Sequence, residues 1–405
     1  VGIPAELGAL DGKPLEVLER VVEAVRFERV HRLVGWLGFV SYDVGRFLER
    51  VGEASTDELK WPVLWFSLFR HYLVMEGGRA RAYRVGDGKG WDWEGFFRVG
   101  KEATTPASLA APPLAEVTRE VYERKIGRVK EYIAAGDIYQ ANLAQRWKAR
   151  TSTSGAEVFA RLCKLSPMPY GACLRFTEGG VRREVASASP ELLLSVEEAE
   201  RRRRAVTRPI KGTRRRVPGD AGKDGEMAAE LMGSAKDAAE LTMIVDLERN
   251  DLGKVSEFGS VRVAAARELE AHPTVWHTTG TVEGRLREEV GLAQLLAAMC
   301  PGGSITGAPK VRAMQIIEEL EGFRRGLYCG NMGVIGDGGR EMILNIAIRT
   351  VMMQEGWAHV YAGGGIVADS EAGKEWEETV VKAGAMVGAV GGGNGIQNSE
   401  CIIQN

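Results

Sequence analysis

The strongest constraint on the fold is the order in which helical and strand-like stretches follow one another. Residues 121–135, 228–247, 310–319 and 374–386 carry apolar residues at helical spacing, and shorter β-type runs lie at 170–176, 332–335 and 360–367. They do not alternate one for one. A doubly wound parallel sheet needs a crossover helix between successive strands, so this order predicts a mixed, largely antiparallel α+β fold. Residues 35–46 (GWLGFVSYDVGR) and 61–74 (WPVLWFSLFRHYLV) also read as strands, making the first hundred residues β-rich. An Ala/Thr/Pro stretch at 104–118 reads as a linker. The expected organisation is a β-rich region with linker over 1–117, a main region over 118–390, and a Gly/Asn-rich disordered tail over 391–405.

With 405 residues, 44% of them hydrophobic, the chain can bury a large core. Lys plus Arg total 53 against 55 Asp plus Glu, which gives no reason to expect nucleic acid as a partner. Any anionic ligand must therefore be held locally. The five cysteines, Cys163, Cys173, Cys300, Cys329 and Cys401, show neither metal-knuckle nor redox-pair spacing and suit a reducing, cytoplasmic setting. No apolar run approaches the roughly 18 to 20 residues of a membrane span, and the first residues lack the pattern of an export signal. A soluble, unexported protein is expected. The Arg201–Arg204 run, following an acidic stretch, reads as a solvated turn.

Several segments can carry chemistry. Residues 301–310 (PGGSITGAPK) form a Gly-rich loop opening a helix, where free backbone amides can cradle a carboxylate or phosphate, or simply make a tight turn. Gly307 and Lys310 are not adjacent, so the loop lacks the spacing of a nucleotide-binding P-loop. A second run, Gly363, Gly364 and Gly365, precedes a helix on which Glu375 and Glu378 share a face; Asp237 and Glu240 repeat that spacing. Two such pairs can converge on a hard cation, or can be ordinary solvated carboxylates. Arg349 sits in an apolar segment and needs either a ligand carboxylate or an internal acid. His277 can equally be a satisfied core histidine.

Six segments in order, 137–146, 189–191, 208–213, 239–253, 301–310 and 363–378, resemble the chorismate-binding enzymes: anthranilate synthase component I, aminodeoxychorismate synthase component I, isochorismate synthase and salicylate synthase. Residues 35–43 extend the likeness. The resemblance implies two antiparallel sheets packed as a sandwich with helices outside. It places Glu240 and Glu378 as magnesium ligands with Asp237 and Glu375 beside them, the metal resting on the ring carboxylate of chorismate. Arg349, with the backbone at Gly363, Gly364 and Gly365, would hold the enolpyruvyl carboxylate. Ser304 and Thr306 would line the ring pocket, and Lys310 and Lys382 complete the substrate-binding set. Glu191 matches the general acid for the departing hydroxyl, and His277 the active-site histidine.

Three positions separate the branches, one of them the segment 301–306 (PGGSIT), which reads like the aminodeoxychorismate branch. Members that use water carry a lysine base where this chain has Gln140, so amination is expected. Anthranilate synthases have alanine in Pro-Ile-x-Gly-Thr, whereas this chain has Lys211, the mark of the aminodeoxychorismate branch. The resemblance thus implies a magnesium-dependent transferase that makes 4-amino-4-deoxychorismate on the route to 4-aminobenzoate and folate; Lys211 would act as nucleophile, or else simply pair with a substrate carboxylate or an acidic neighbour. Ammonia would come from glutamine through a separate amidotransferase subunit. Anthranilate synthase component I is the nearest alternative, and a non-catalytic chorismate-binding subunit a more distant one. Val334 departs from a usual tyrosine, residues 214–225 are unusually basic, and the strand pair that holds feedback tryptophan in anthranilate synthases is not recognisable.

Overall fold

The computed structural model describes residues 11–25, 27, 31–86 and 113–391. Most of the expected linker and the tail from residue 392 lie outside the described residues. A nine-stranded sheet runs in the order Ile210–Arg215, Val275–Arg285, Arg202–Arg208, Leu192–Ala199, Met342–Asn345, Asn331–Ile335, Trp36–Val40 and Leu64–Leu68. Its ninth strand, Arg262–Ala271, also pairs with Val275–Arg285. A seven-stranded sheet follows the order Gly307–Ala308, Gln140–Arg150, Trp357–Ile366, Thr350–Gln354, Val181–Ser189 and Tyr170–Glu178, with Leu114–Ala115 on Gln140–Arg150. All pairings between these strands are antiparallel. The α+β expectation therefore holds, and the N-terminal strand Trp36–Val40 is woven into the same sheet as Asn331–Ile335.

The two sheets pack face to face through aromatic contacts: Phe39 and Trp65 of one lie 5.5 and 4.8 Å from the ring of Phe176 of the other. Helices Gly155–Leu165 and Ala372–Gly391 cover the outer face of the seven-stranded sheet, over Trp147, Ala186, Val351 and Val360. Helices Arg119–Ala134 and Lys310–Glu321 bury Ile126, Ile316 and Ile317 against Ala141 and Leu143. This is the expected sandwich with helices outside.

Two chain segments pass from one sheet to the other. Val181–Ser189 continues through Pro190 and Glu191 into Leu192–Ala199, and Met342–Asn345 continues through Arg349 into Thr350–Gln354. The crossings lie side by side, with Ile346 N donating to Glu191 O at 3.0 Å and Ala188 N to Arg349 O at 3.0 Å. Corners of a sandwich require strands to bend between sheets. Here the bend places Arg349 at φ 51°, a conformation that non-glycine residues adopt rarely.

Several local readings change. The strand expected over 35–46 stops at Val40, and residues 42–48 coil into helical turns. The single helix expected over 228–247 is two, Ala221–Gly233 and Ala235–Gly253. They break at Ser234, whose hydroxyl accepts from Asp237 N at 3.2 Å and caps the second. The Arg201–Arg204 run is a turn only at its start. Arg203, 5% exposed, lies in a strand and donates to the carbonyls of Arg287 and Val290 at 2.8 Å each. A charge run does not reveal that one of its guanidiniums ends on buried backbone carbonyls.

The layers are tied by a buried ion pair. Arg325 and Glu321, each 1% exposed, meet at 2.6 Å; Glu321 Oε1 also accepts from Ala144 N, and Arg325 donates to Asn142 O and Ile305 O. Leaving one partner of such a pair unpaired costs roughly 3–5 kcal/mol. Glu321→Ala is therefore expected to destabilise by about that amount in urea unfolding, with Arg325→Ala similar and the double variant well short of the sum. Additive losses would show that the two side chains act independently.

Candidate active site

Lys211 lies in Ile210–Arg215, where the register with Val275–Arg285 slips between Lys211 and Thr213. The slip is a bulge centred on Gly212, at φ 82°. A Cβ there would meet Leu231 Cδ1 at 2.8 Å and Asp237 Cγ at 3.0 Å, so only glycine fits both the conformation and the space. The bulge aims Lys211 inward: its Nζ stands 4.0 Å from Glu240 Oε2, and its charge also acts on Glu191 and Glu378.

Glu191, at the strand crossing, is 3% exposed, and Ile210 N points at its Oε1 from 3.4 Å. Burial pushes its carboxyl up to about 7, against the opposing pull of the Ser304 hydroxyl and the Lys211 ammonium. Ser304 Oγ is buried and has no hydrogen-bond partner of good geometry among the described residues. His277 is 1% exposed; Nδ1 meets Thr213 Oγ1 at 3.0 Å and Nε2 has no partner among the described residues. Burial, helped by the charge of Arg349, lowers its imidazole to about 3, so it is neutral at physiological pH. Gln140 is fully buried with both amide atoms unpartnered, beside Gly365, whose Cβ would lie 3.0 Å from Gln140 Nε2. Ser304 Oγ, His277 Nε2 and the Gln140 amide are thus buried polar groups whose hydrogen-bonding capacity is unused among the described residues.

Arg349 donates only to Ser166 Oγ at 3.3 Å, and no carboxylate pairs with it among the described residues. Its guanidinium is free for a ligand carboxylate. Gly363, Gly364 and Gly365 run along Trp357–Ile366, and a Cβ on Gly364 would come within 3.0 Å of Glu375 Oε2 and 4.0 Å of Glu378 Oε1. The glycine thus lets the acids of helix Ala372–Gly391 approach the strand. From the facing helix Ala235–Gly253 comes Glu240. Lys211 thus stands among Glu240, Glu191 and Glu378, while Arg349 acts on His277, whose Nδ1 meets Thr213 of the bulged strand.

The chain is similar to known proteins over most of its length. The family described as chorismate binding enzyme matches residues 4–388. Anthranilate synthase component 1 1 of Haloarcula marismortui is 37% identical over 96% of this chain and 83% of its own length. Aminodeoxychorismate synthase component 1 of Escherichia coli is 37% identical over 91% and 81%. Anthranilate synthase component I from Streptococcus pneumoniae superimposes with a TM-score of 0.79 at 30% identity, covering 93% of this chain and 86% of that one.

The chain belongs to the chorismate-binding enzyme family.

Within this chorismate-binding enzyme the other expected site residues take more local roles. Lys310 ion-pairs with Asp251, 1% exposed, whose other oxygen meets Lys254 at 2.8 Å. Thr306 donates its hydroxyl proton to Gly302 O at 2.9 Å and so fastens the loop. Lys382 bridges Glu378 at 2.6 Å and Gly363 O at 3.0 Å. Asp237 accepts from Arg214 at 3.2 Å, which consumes part of the basic 214–225 segment. Val334 packs in the nine-stranded sheet opposite Leu37 and Ile343.

Sequence reasoning missed Glu248, which accepts from Gly303 N at 3.0 Å and whose carboxyl burial raises to about 7. It also missed the role of Asp251. Both acids fall on the buried stripe of Ala235–Gly253 with Leu241 and Ile244, and an acid on an apolar helical face was the available signal.

Glu240, Glu375 and Glu378 offer the oxygen donors that a magnesium ion would take. Burial, and then the charges of Asp237 and Glu378, raise Glu240, while neighbouring lysines oppose this. Burial also raises Glu375, to which Ser370 Oγ donates at 2.7 Å. Among the described residues no three such side chains form a ready-made cage. Magnesium suits this donor set because it takes one or two carboxylates and completes its octahedron with water and ligand oxygens.

The raised Glu191 carboxyl has a measurable consequence. A carboxyl whose folded pKa exceeds its unfolded value favours the folded state at low pH, and that contribution is lost as pH rises through about 7. Glu191→Gln removes the titration. Its stability relative to wild type should rise by roughly 3 kcal/mol between about pH 4.5 and about pH 8, read by urea unfolding. A difference independent of pH would show that Glu191 titrates normally.

Proposed function

We propose that this enzyme replaces the 4-hydroxyl of chorismate with an amino group, as aminodeoxychorismate synthase component I, using ammonia supplied by a glutamine amidotransferase subunit. The observation that carries the reading is Lys211, turned by the Gly212 bulge to within 4.0 Å of Glu240 and into the field of Glu191.

Chorismate presents a ring carboxylate and an enolpyruvyl carboxylate. Arg349, without an acidic partner among the described residues, suits the second. Glu240 and Glu378 would hold magnesium, which when bound supplies positive charge at the ring carboxylate and polarises the conjugated system. Conjugation opens carbon 2 to attack with allylic loss of the hydroxyl from carbon 4. In its neutral form the Lys211 amine bonds to carbon 2, the carbon 4–oxygen bond breaks, and protonated Glu191 donates its proton so that water departs. Ammonia then bonds to carbon 4, the double bond returns, and the carbon 2–nitrogen bond breaks to release Lys211. The proton shed by the new amine restores Glu191. A single direct amination at carbon 2 would instead give the anthranilate precursor. His277, neutral at physiological pH, serves as a hydrogen-bonding group and not as an imidazolium acid.

Lys211→Ala is expected to suppress the 4-amino product by at least about a hundredfold, within the range for loss of an activated group, and to leave traces of 2-amino product or anthranilate. Mixing wild type with chorismate without ammonia should give an intact-mass adduct. If Lys211→Ala still makes mainly the 4-amino product at a comparable rate, the covalent role is wrong. Glu240→Gln and Glu378→Gln should each abolish magnesium-dependent turnover with ammonium salt, since either removes a charged oxygen donor. Full activity of both, or of wild type in excess chelator, would exclude the metal assignment.

A further inference from the structure

Lysine charges face the acidic set at close range. Lys236 Nζ lies 3.9 Å from Glu240 Oε1, on the carboxylate whose other oxygen faces Lys211 at 4.0 Å. Across the gap Lys382 Nζ lies 2.6 Å from Glu378 Oε1. Lys236 also acts on Glu375 and Glu378 of the opposite helix. Asp237 beside them is taken by Arg214 at 3.2 Å, so three carboxylates, Glu240, Glu375 and Glu378, stand against three lysines, which offset them without any metal.

The three lysines differ in how firmly they are held. Lys382 is anchored by Gly363 O at 3.0 Å, and the Lys211 side chain is only 14% exposed. The Lys236 side chain is 52% exposed, on the first turn of Ala235–Gly253, with a flexible four-carbon stem and a strongly hydrated head. It is the one of the three that can swing into solvent at little cost.

We propose that Lys236 is a built-in counterion that holds the place of the divalent cation and makes magnesium and chorismate bind together. The inference rests on the magnesium reading above. A divalent cation entering alone would bring two positive charges to a balanced site and meet an ammonium group already on its ligand oxygen. Chorismate brings two carboxylates, so cation and substrate together add no net charge. Lys236 moves aside when that neutral pair arrives. Each ligand therefore raises the other's affinity, and by linkage the enhancement is equal in both directions.

The test is calorimetric titration with magnesium chloride, with and without chorismate and in the absence of ammonia, on wild type, Lys236→Gln and Lys236→Arg. Wild type should bind magnesium weakly alone and far more tightly with chorismate. Lys236→Gln should bind magnesium alone about tenfold more tightly, a factor within the usual range of coupling between two ligands, and its enhancement by chorismate should shrink correspondingly. Lys236→Arg, which keeps the charge, should behave as wild type. Equal magnesium affinity of wild type and Lys236→Gln without chorismate would overturn the counterion role while leaving the metal site standing. No magnesium uptake by any of the three proteins, even with chorismate present, would overturn the metal reading and this inference with it.

Discussion

The buried ion pair between Arg325 and Glu321 is the interaction on which the rest of the site depends. Desolvating two charges is unfavourable unless their hydrogen-bonding capacity is well used, and here it is. Glu321 accepts from Arg325 Nε at 2.9 Å, Arg325 Nη2 at 2.6 Å and Ala144 N at 2.8 Å. Arg325 also donates to Ile305 O at 2.9 Å and Asn142 O at 2.6 Å, and stands over the Tyr42 ring at 4.5 Å. Helix Lys310–Glu321, strand Gln140–Arg150, the Ser304 loop and the N-terminal region thereby share one anchor. Arg325 holds the carbonyl of Ile305, next to Ser304, and that of Asn142, which pairs with Gly365.

Around that anchor the fold uses geometric irregularities to aim chemistry. Regular strands would alternate side chains to the two faces of each sheet; the reacting groups stand where regularity is interrupted. Glu191 and Arg349 lie at the two sheet crossings, Lys211 at a bulge, and Ser304 in a helical turn of a glycine-rich loop. Buried acids hold the loop from below: Glu248 accepts from Gly303 N, and Asp251 takes Lys310. Lys310 is thus spent on a buried acid three residues from Glu248 on the same helix.

Electrostatics divides the carboxyls into two kinds. Glu191 and Glu248 are buried and keep a proton to about 7, the condition a proton donor near neutral pH requires. Burial alone would also raise Glu378, but Lys382, Lys211 and Lys236 outweigh it and hold the carboxyl below its usual range. That is the condition for an oxygen donor to a cation. The two carboxyls therefore differ at the same pH because burial prevails at the first and lysine charges at the second.

The sequence by itself determined the fold class, because strand and helix periodicities that do not alternate exclude a doubly wound sheet. It also determined the family, because six motifs in fixed order carry glycines, acids and an arginine that few folds need together. Helix ends are fixed by caps that the hydrophobic periodicity does not show, as at Thr118, whose hydroxyl accepts from Val121 N, and Gly322, at φ 81°. Only the tertiary structure decided which charges are spent on the protein and which are left for a ligand. Lys310 and Arg349 both read in the sequence as candidates for a substrate carboxylate, yet the first meets a buried aspartate and the second meets no carboxylate among the described residues. Partners hundreds of residues apart are set by how two sheets cross, and hydrophobic periodicity carries no record of that crossing. The same holds for Lys236, an ordinary exposed helix residue in sequence, whose meaning comes from the acids that packing brings opposite it.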